Sequence, residues 1–568
     1  MNLGDPSSSR ALRVSWSYVV TAASLALGAC ALPPPALAPE APKVEAKPRP
    51  AAVELPPPIK SALAELPAGV PGASEVCVSG VTRSSESASA ASCDEVAALD
   101  QLEAALADAD AASRDLRLAR LEACTSFTPG WLRALRAELT TPECADALVA
   151  PFLERAANVR TQRQMALALG VEAALPRQLG SVALEPPLDV EQTLVGLALG
   201  ARLRRLVAPP PAPPSDATKE AFLEYFKLQL EPWVRERASA IHSLALQASR
   251  LQGYGRAVAA IESAVADLNF VQAARDVPLP KEMAADPQLR EAYYAALDEA
   301  LEPRKARGRD AALVGLRDFA SLGVIKSERI DRGRSVLARS YAGHRIDALD
   351  GLLLPALPEL KAETREQRLA MRLPTFFAQH VLGDLDPTDV KSLRALLEQG
   401  LYPKARAQLD SGALSYGAQR LYARALVHLG QRYWRASDFV HAAQVAAVTP
   451  AQGQSAEPEN LLLQALGEAL GAGPVDAAQM MLGGPLLPEG VGNVTALDKL
   501  AEQPGEVAGM AAYDAAYILA FLPPQKEVAQ FWRGIAKRYE LAAARLKQPN
   551  DARDRAKNAR ETARAVRE

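Results

Sequence analysis

Nowhere along 568 residues do apolar and polar positions alternate over the length of a strand, and that omission constrains the fold more than any motif. A half-buried strand needs a period of two, because successive side chains point to opposite faces. Instead the chain is filled by Ala, Leu, Glu and Arg, which lose little conformational freedom in a helix, and aromatic residues make up only 5%. The pattern predicts an all-α protein. Segments such as "KEAFLEYFKLQLEPWVRERASAIHSLALQASRL" and "AYYAALDEALEPRKARGRDAALVGLRDFASLG" read as long amphipathic helices.

Prolines set the expected joints. The stretch "PPPALAPEAPKVEAKPRPAAVELPPP" cannot pack a core and reads as an extended tether. A second break, "APPPAPPSDA", divides the rest of the chain. The expected plan is a leader over 1–29, a tether over 30–74, a helical domain over 75–207 and a linker over 208–217. A middle helical domain over 218–386 and a repeat region over 387–568 complete it.

The leader has its own logic. Arg10 and Arg13 precede Val14 to Ala29, sixteen residues without a charge. A bilayer-spanning helix needs about 20 apolar residues, so the run reads as a signal h-region. It ends in Leu27-Gly28-Ala29-Cys30, which resembles the bacterial lipoprotein box. The resemblance implies a diacylglyceryl group on the Cys30 sulfur, removal of the preceding peptide and acylation of the new amine. Two or three chains hold a protein on a membrane where one is marginal. Ala31 is not the Asp that resembles an inner-membrane retention signal, so the outer membrane is the expected address. A plain secretory signal and an uncleaved anchor are the other readings.

The remaining cysteines, Cys77, Cys93, Cys124 and Cys144, are even in number and form no CxxC pair. In an oxidising compartment they read as two disulfides, with Cys77–Cys93 and Cys124–Cys144 the expected pairing of three possible ones.

Towards the C-terminus the chain repeats. "GLYPKA", "SDFVHA" and "GPVDAA" share a small residue, then Tyr, Phe or Val, then Ala. Aligned on Ala405, Ala442 and Ala478, they are spaced by 37 and 36 residues. Gly400 and Tyr402 open the first copy, Phe439 marks the second and Gly473 opens the third. The second copy adds Leu426, Leu429, Gly430 and Tyr433 ahead of it. This is similar to the tetratricopeptide repeat, which implies helix hairpins stacked into a solenoid with a groove for a peptide or partner helix. The other copies lack most of the first-helix signature, and the spacing exceeds that family's usual one.

The signatures of the common catalytic classes are absent. There is no GxSxG, SxxK, HExxH, P-loop or dinucleotide fingerprint, so no catalytic residue, cofactor or metal site is nominated. Of five histidines, His242 and His428 read as core or rim residues, and His380 and His441 as surface or turn residues. The carboxylates of "GDLDPTDV" read as a helix start, with Asp386 capping before Pro387.

A formal net charge of −3 gives no overall basic balance for nucleic acid, and none is expected as a partner. Locally, residues 304 to 345 carry eleven Lys or Arg against four acids. Arg304, Arg307, Arg309, Arg329, Arg332, Arg334 and Arg345 are the nominated surface for an anionic partner, since guanidinium forks match carboxylate and phosphate oxygens. Pairing with acids on neighbouring helices is the competing reading. A second basic run, Arg553, Lys557, Arg560, Arg564 and Arg567, is expected on an exposed outer helix.

Together these readings describe an envelope lipoprotein, facing periplasm or surface, that scaffolds a protein or peptide partner. An envelope enzyme acting on peptidoglycan or glycan and a spacer without a ligand are the alternatives. The sequence assigns no oligomeric state.

Overall fold

The computed structural model describes residues 63, 65–67, 70, 95–122, 129–142, 144–154, 157, 188–207, 209–214, 218–342, 346–356, 362–382, 402–412, 414–447, 457–471, 493–521, 527–549 and 551–566. All belong to the compact unit Glu54–Glu568. Cys30, the proline-rich stretch over 33–58, Cys77, Cys93, Cys124, Arg345, Asp386, Gly400, Gly473, Ala478 and Arg567 lie outside the described residues, whereas Leu63, within the expected tether over 30–74, is buried in the core.

Every extended regular element among the described residues is a helix, as the missing alternation predicts. Helices α1 (Glu95–Ala107), α2 (Ala111–Glu122) and α3 (Pro129–Leu139) pack in sequence. Arg136 of α3 reaches Asp115 at 3.0 Å and Glu122 at 2.6 Å on α2. Burial works against its charge, but the two carboxylates outweigh burial and raise its pKa.

Helix α4 (Leu188–Leu206) packs on α3 and on the central helix, α7 (Gly253–Arg275). Between them come α5 (Lys219–Tyr225), capped by Thr218, one wide turn at Phe226–Leu230, and α6 (Glu231–Ala248). Helix α7 is apolar almost all round, as a helix surrounded by others must be. It is covered by α4, by α6, by α9 (Pro287–Ser321) and by α10 (Glu328–Ser340); α8 (Lys281–Ala285) leads into α9. The α4 to α7 crossing depends on two glycines. A Cβ on Gly255 would lie 1.9 Å from the Gln192 carbonyl oxygen, and one on Gly196 would lie 2.2 Å from that of Gly255.

The 35-residue helix α9 has a defined start. Asp286 accepts from the amides of Gln288 and Leu289 at 2.9 and 3.2 Å, and Pro287 takes the first helical position. Helices α11 (Arg365–Arg372) and α12 (Thr375–Leu382) return to α1 and α3. Arg368 meets Glu103 at 2.7 Å, and the His380 ring stacks on Trp131 at 4.1 Å. His380 therefore differs from the surface or turn residue expected: it is half-buried on an aromatic face, and burial lowers its pKa. His441 is also half-buried, edge-on to Tyr422.

Helices α13 (Tyr402–Asp410), α14 (Tyr416–Arg432), α15 (Ala436–Ala446) and α16 (Pro458–Leu470) each pack on the next. Then come α17 (Thr495–Ala501), α18 (Glu506–Ala520), α19 (Val528–Arg545) and α20 (Ala552–Ala565), again in contact with their successors. Ala405, Phe439 and Ala442 are buried, and Tyr402 opens α13. At the α14 to α15 turn, a Cβ on Gly430 would lie 2.9 Å from both the Phe439 ring and the Arg435 carbonyl oxygen. This series is tied to the middle helices. Gln431 donates to the carbonyls of Leu349 and Leu352 at 3.1 and 2.9 Å, and the Tyr433 hydroxyl donates to that of Val324. On α20, Ala552, Ala556, Ala559 and Ala563 face inward, while Arg553, Lys557, Arg560 and Arg564 are exposed.

Candidate partner-binding trough

The nominated arginines are drawn largely into the fold. Arg329 donates to Glu262 at 2.8 Å and to Glu138 at 3.1 Å, and Arg332 shares the same Glu262. Burial opposes the Arg329 charge, yet Glu138 and Glu262 outweigh it and raise its pKa. Arg334 pairs with Asp350 and lies 4.6 Å from the centre of the Trp434 ring. Arg309 pairs with the adjacent Asp310 at 2.9 Å. Arg304 and Arg307 share Asp267, which is fully buried on α7. Each nominated arginine within the described residues thus meets a carboxylate of its own chain, the arrangement the competing reading anticipates.

Arg307 lines a trough of about 600 Å3 formed by α6, α7 and α9, and Arg304 adjoins it through their shared Asp267. Helix α7 is its floor, presenting Arg256, Ala260 and Ser263 at helical spacing. Helices α6 and α9 both pack on α7. They are joined where Arg304 donates to the Ala238 carbonyl at 3.1 Å and where Arg307 meets His242 Nδ1 at 3.1 Å. Arg307 can only donate, so Nδ1 is the acceptor in this contact. Beyond this junction the walls carry Ala245 and Leu246 from α6 and Ala306, Ala311 and Val314 from α9, and among these α9 residues the exposed Asp310, paired with Arg309, also lines the trough.

Charge is arranged at the two ends. At the first, Arg307 reaches Asp267 through Nε at 2.6 Å and through its second nitrogen, while Arg304 lies 3.7 Å from the same carboxylate. Burial and the neighbouring Arg307 charge lower the Arg304 pKa, against the pull of Asp267. At the other end, Arg256 forks onto Asp318, one bond measuring 2.9 Å, and its hydrogen bond with Asp318 raises its pKa. Arg317 lies 3.9 Å from that same Asp318, and its side chain is 70% exposed. At each end, then, two guanidiniums share one carboxylate.

In the floor, Ser263 is only 2% exposed, and its hydroxyl has no hydrogen-bond partner. Leu246, on the rim, is 53% exposed. The sequence nominated Arg304 and Arg307, placed His242 on a core or rim and counted Arg317 among the basic residues of 304–345, but it did not single out Ala260, Ser263 or Arg256. The only signal of Ala260 and Ser263 is the spacing of small residues on a mostly apolar helix, and such a pattern does not reveal which side is left open.

No helix among the described residues is long and apolar enough to cross a membrane, and no group of metal-ligating side chains comes together among them. No protein-family model matches the chain, nor does any curated protein or solved structure.

Proposed function

We propose that this chain is a lipid-anchored scaffold of the bacterial cell envelope that holds a protein partner on its helices. The observation that carries the scaffold part is the trough between α6 and α9, an apolar channel with a cationic cluster at each end. Channels of this volume and lining are where small helical proteins take ligands and peptide segments.

The anchor part rests on Cys30 and the apolar run before it, with the outer membrane as the proposed address. An exported compartment goes with the reading of Cys77, Cys93, Cys124 and Cys144 as two disulfides. Successive helix-on-helix contact from α13 to α20 supports a tetratricopeptide-like stack. So does Gly430, packed where the Phe439 ring admits no side chain. The acids Glu138, Glu262, Asp267 and Asp318 each hold arginines, which favours binding over the glycan-hydrolase alternative.

Gentle detergent extraction of the tagged wild type and of Cys30→Ala, with mass spectrometry of bait and co-purifying chains, tests both parts. The proposal expects an acylated Cys30 at the mature amino terminus and one stoichiometric partner. A bait retaining residues 1 to 29 without lipid contradicts the anchor, and an acylated bait that comes down alone contradicts the scaffold.

A further inference from the structure

We propose that the trough between α6 and α9 receives one acidic amphipathic helix of a partner protein, its apolar face on Ala260, Leu246 and Val314 and a carboxylate at each end. The inference rests on the scaffold reading and specifies the partner.

Three features select this occupant. The first is shape. Helices α6 and α9 flank α7 with a floor of Ala260 and Ser263, and small residues let a guest backbone approach to the 8–10 Å typical of packed helices. The walls repeat along α9 at Pro303, Ala306, Ala311 and Val314, a helical stripe that matches apolar positions on a guest helix.

The second is charge. Arg304 with Arg307 on Asp267, and Arg256 with Arg317 on Asp318, leave one positive charge in excess at each end, while Asp310 on the wall is matched by its neighbour Arg309. Arg307 and Arg317 are ten residues apart on α9, about 15 Å at the helical rise of about 1.5 Å per residue. Two carboxylates eleven residues apart, three helical turns, lie on one face of a guest helix and span about the same distance. A basic guest would place like charges together and is repelled.

The third is the Ser263 hydroxyl, buried in the floor and without a partner. A buried hydroxyl left unpaired is costly, and a polar atom on the guest at mid-helix supplies what it lacks.

The test uses the purified full-length protein and fluorescein-labelled 18-residue peptides stapled as helices, read by anisotropy. One peptide carries a Leu and Ala stripe with Glu eleven residues apart; a second replaces both Glu by Lys; a third keeps the Glu and replaces the stripe by Ser and Gln. The proposal expects saturable binding of the first and at least about tenfold weaker binding of the others. Arg317→Glu, whose side chain is exposed, should weaken the first peptide by about tenfold and flatten its salt dependence, while Ala260→Leu, which fills the floor, should abolish binding. Unfolding curves for both variants keep loss of fold distinct from loss of binding. If the Glu and Lys peptides bind alike, or if both variants, folded, bind as the wild type does, the proposal is wrong. If no peptide binds while the co-purifying partner still does, the trough assignment is overturned and the scaffold reading stands. If neither binds, both fall.

Discussion

The Arg329 guanidinium on α10 donates at 3.1 Å to the Glu138 carboxylate on α3, a residue 191 positions earlier in the chain. Its other arm reaches Glu262 of the central helix at 2.8 Å, so one buried cation fastens three helices on either side of the proline-rich break. Removing it leaves the half-buried Glu138 opposite an apolar side chain and the fully buried Glu262 with Arg332 alone, the case in which a broken buried pair is damaging. Arg329→Met is therefore expected to cost about 3 to 5 kcal/mol, read as a lowered urea midpoint. Arg309→Met, whose partner Asp310 is largely exposed, should cost well under about 1 kcal/mol. Equal losses in the two variants would refute this assignment.

A paired glycine experiment tests the helix contact at α14 and α15. Gly430 faces the Phe439 ring and the Arg435 carbonyl, so Gly430→Val must displace one of them and is expected to cost about 1 to 3 kcal/mol. Gly417, in the first turn of the same helix, faces open space. Gly417→Ala should be neutral or stabilise by up to about 1 kcal/mol through helix propensity alone. Thermal melts of the two proteins should thus move in opposite directions or, at the least, only the first should move.

Asp438, buried in the first turn of α15 and 3.0 Å from Arg435, supplies a pH dependence. Burial pushes its pKa up to about 6 against the pull of Arg435, from a usual value near 4. Because the folded state holds this proton more tightly than the unfolded one, the contribution is most favourable below about pH 4. It declines as pH rises to about 6, and is then constant. A proton affinity raised about a hundredfold in the folded state corresponds to about 3 kcal/mol. Asp438→Asn should flatten that slope and raise stability at about pH 7.5. Chemical denaturation of both proteins between about pH 4 and 8 measures it, and identical slopes would show that Asp438 titrates normally.

How much of this was legible in the sequence depends on how local each signal is. The all-helical content was readable because the absence of a two-residue period and the abundance of helix formers are local properties. The burial of Ala405, Phe439 and Ala442 was readable too, since a helix that packs closely on its neighbour needs small residues at fixed spacing. The arginines were visible as an excess of charge, but not their partners. Asp267 lies 40 residues from Arg307, Asp318 lies 62 from Arg256, and Glu262 and Glu138 lie 67 and 191 from Arg329, in helices that meet only in the tertiary fold. The trough was the least legible feature. Helix α7 is mostly apolar, so its sequence marks it as buried without showing that Ala260 and Ser263 line an open channel.

His380 makes a further check. Its ring stacks on Trp131 of α3 and leans on Phe376, where burial lowers its pKa. A lowered pKa means that the folded state disfavours the imidazolium, so stability is complete above the usual His range and declines as pH falls through it. His380→Phe should keep the aromatic contact and remove that decline between about pH 7 and 5, as measured by melting temperature against pH. A variant that retains the full decline would assign it to another group.

The central claim, that the channel between α6 and α9 is where a partner helix sits, is tested most directly by a photoreactive amino acid placed at Leu246 in the full-length protein in its native cells. Leu246 stands on the rim of the trough, and Leu289, equally exposed on α9 but outside it, serves as the reference position. The account predicts a light-dependent adduct at Leu246 with one polypeptide, joined through an acidic amphipathic segment, and no such adduct at Leu289. The same products at both positions, or none at Leu246, would contradict it.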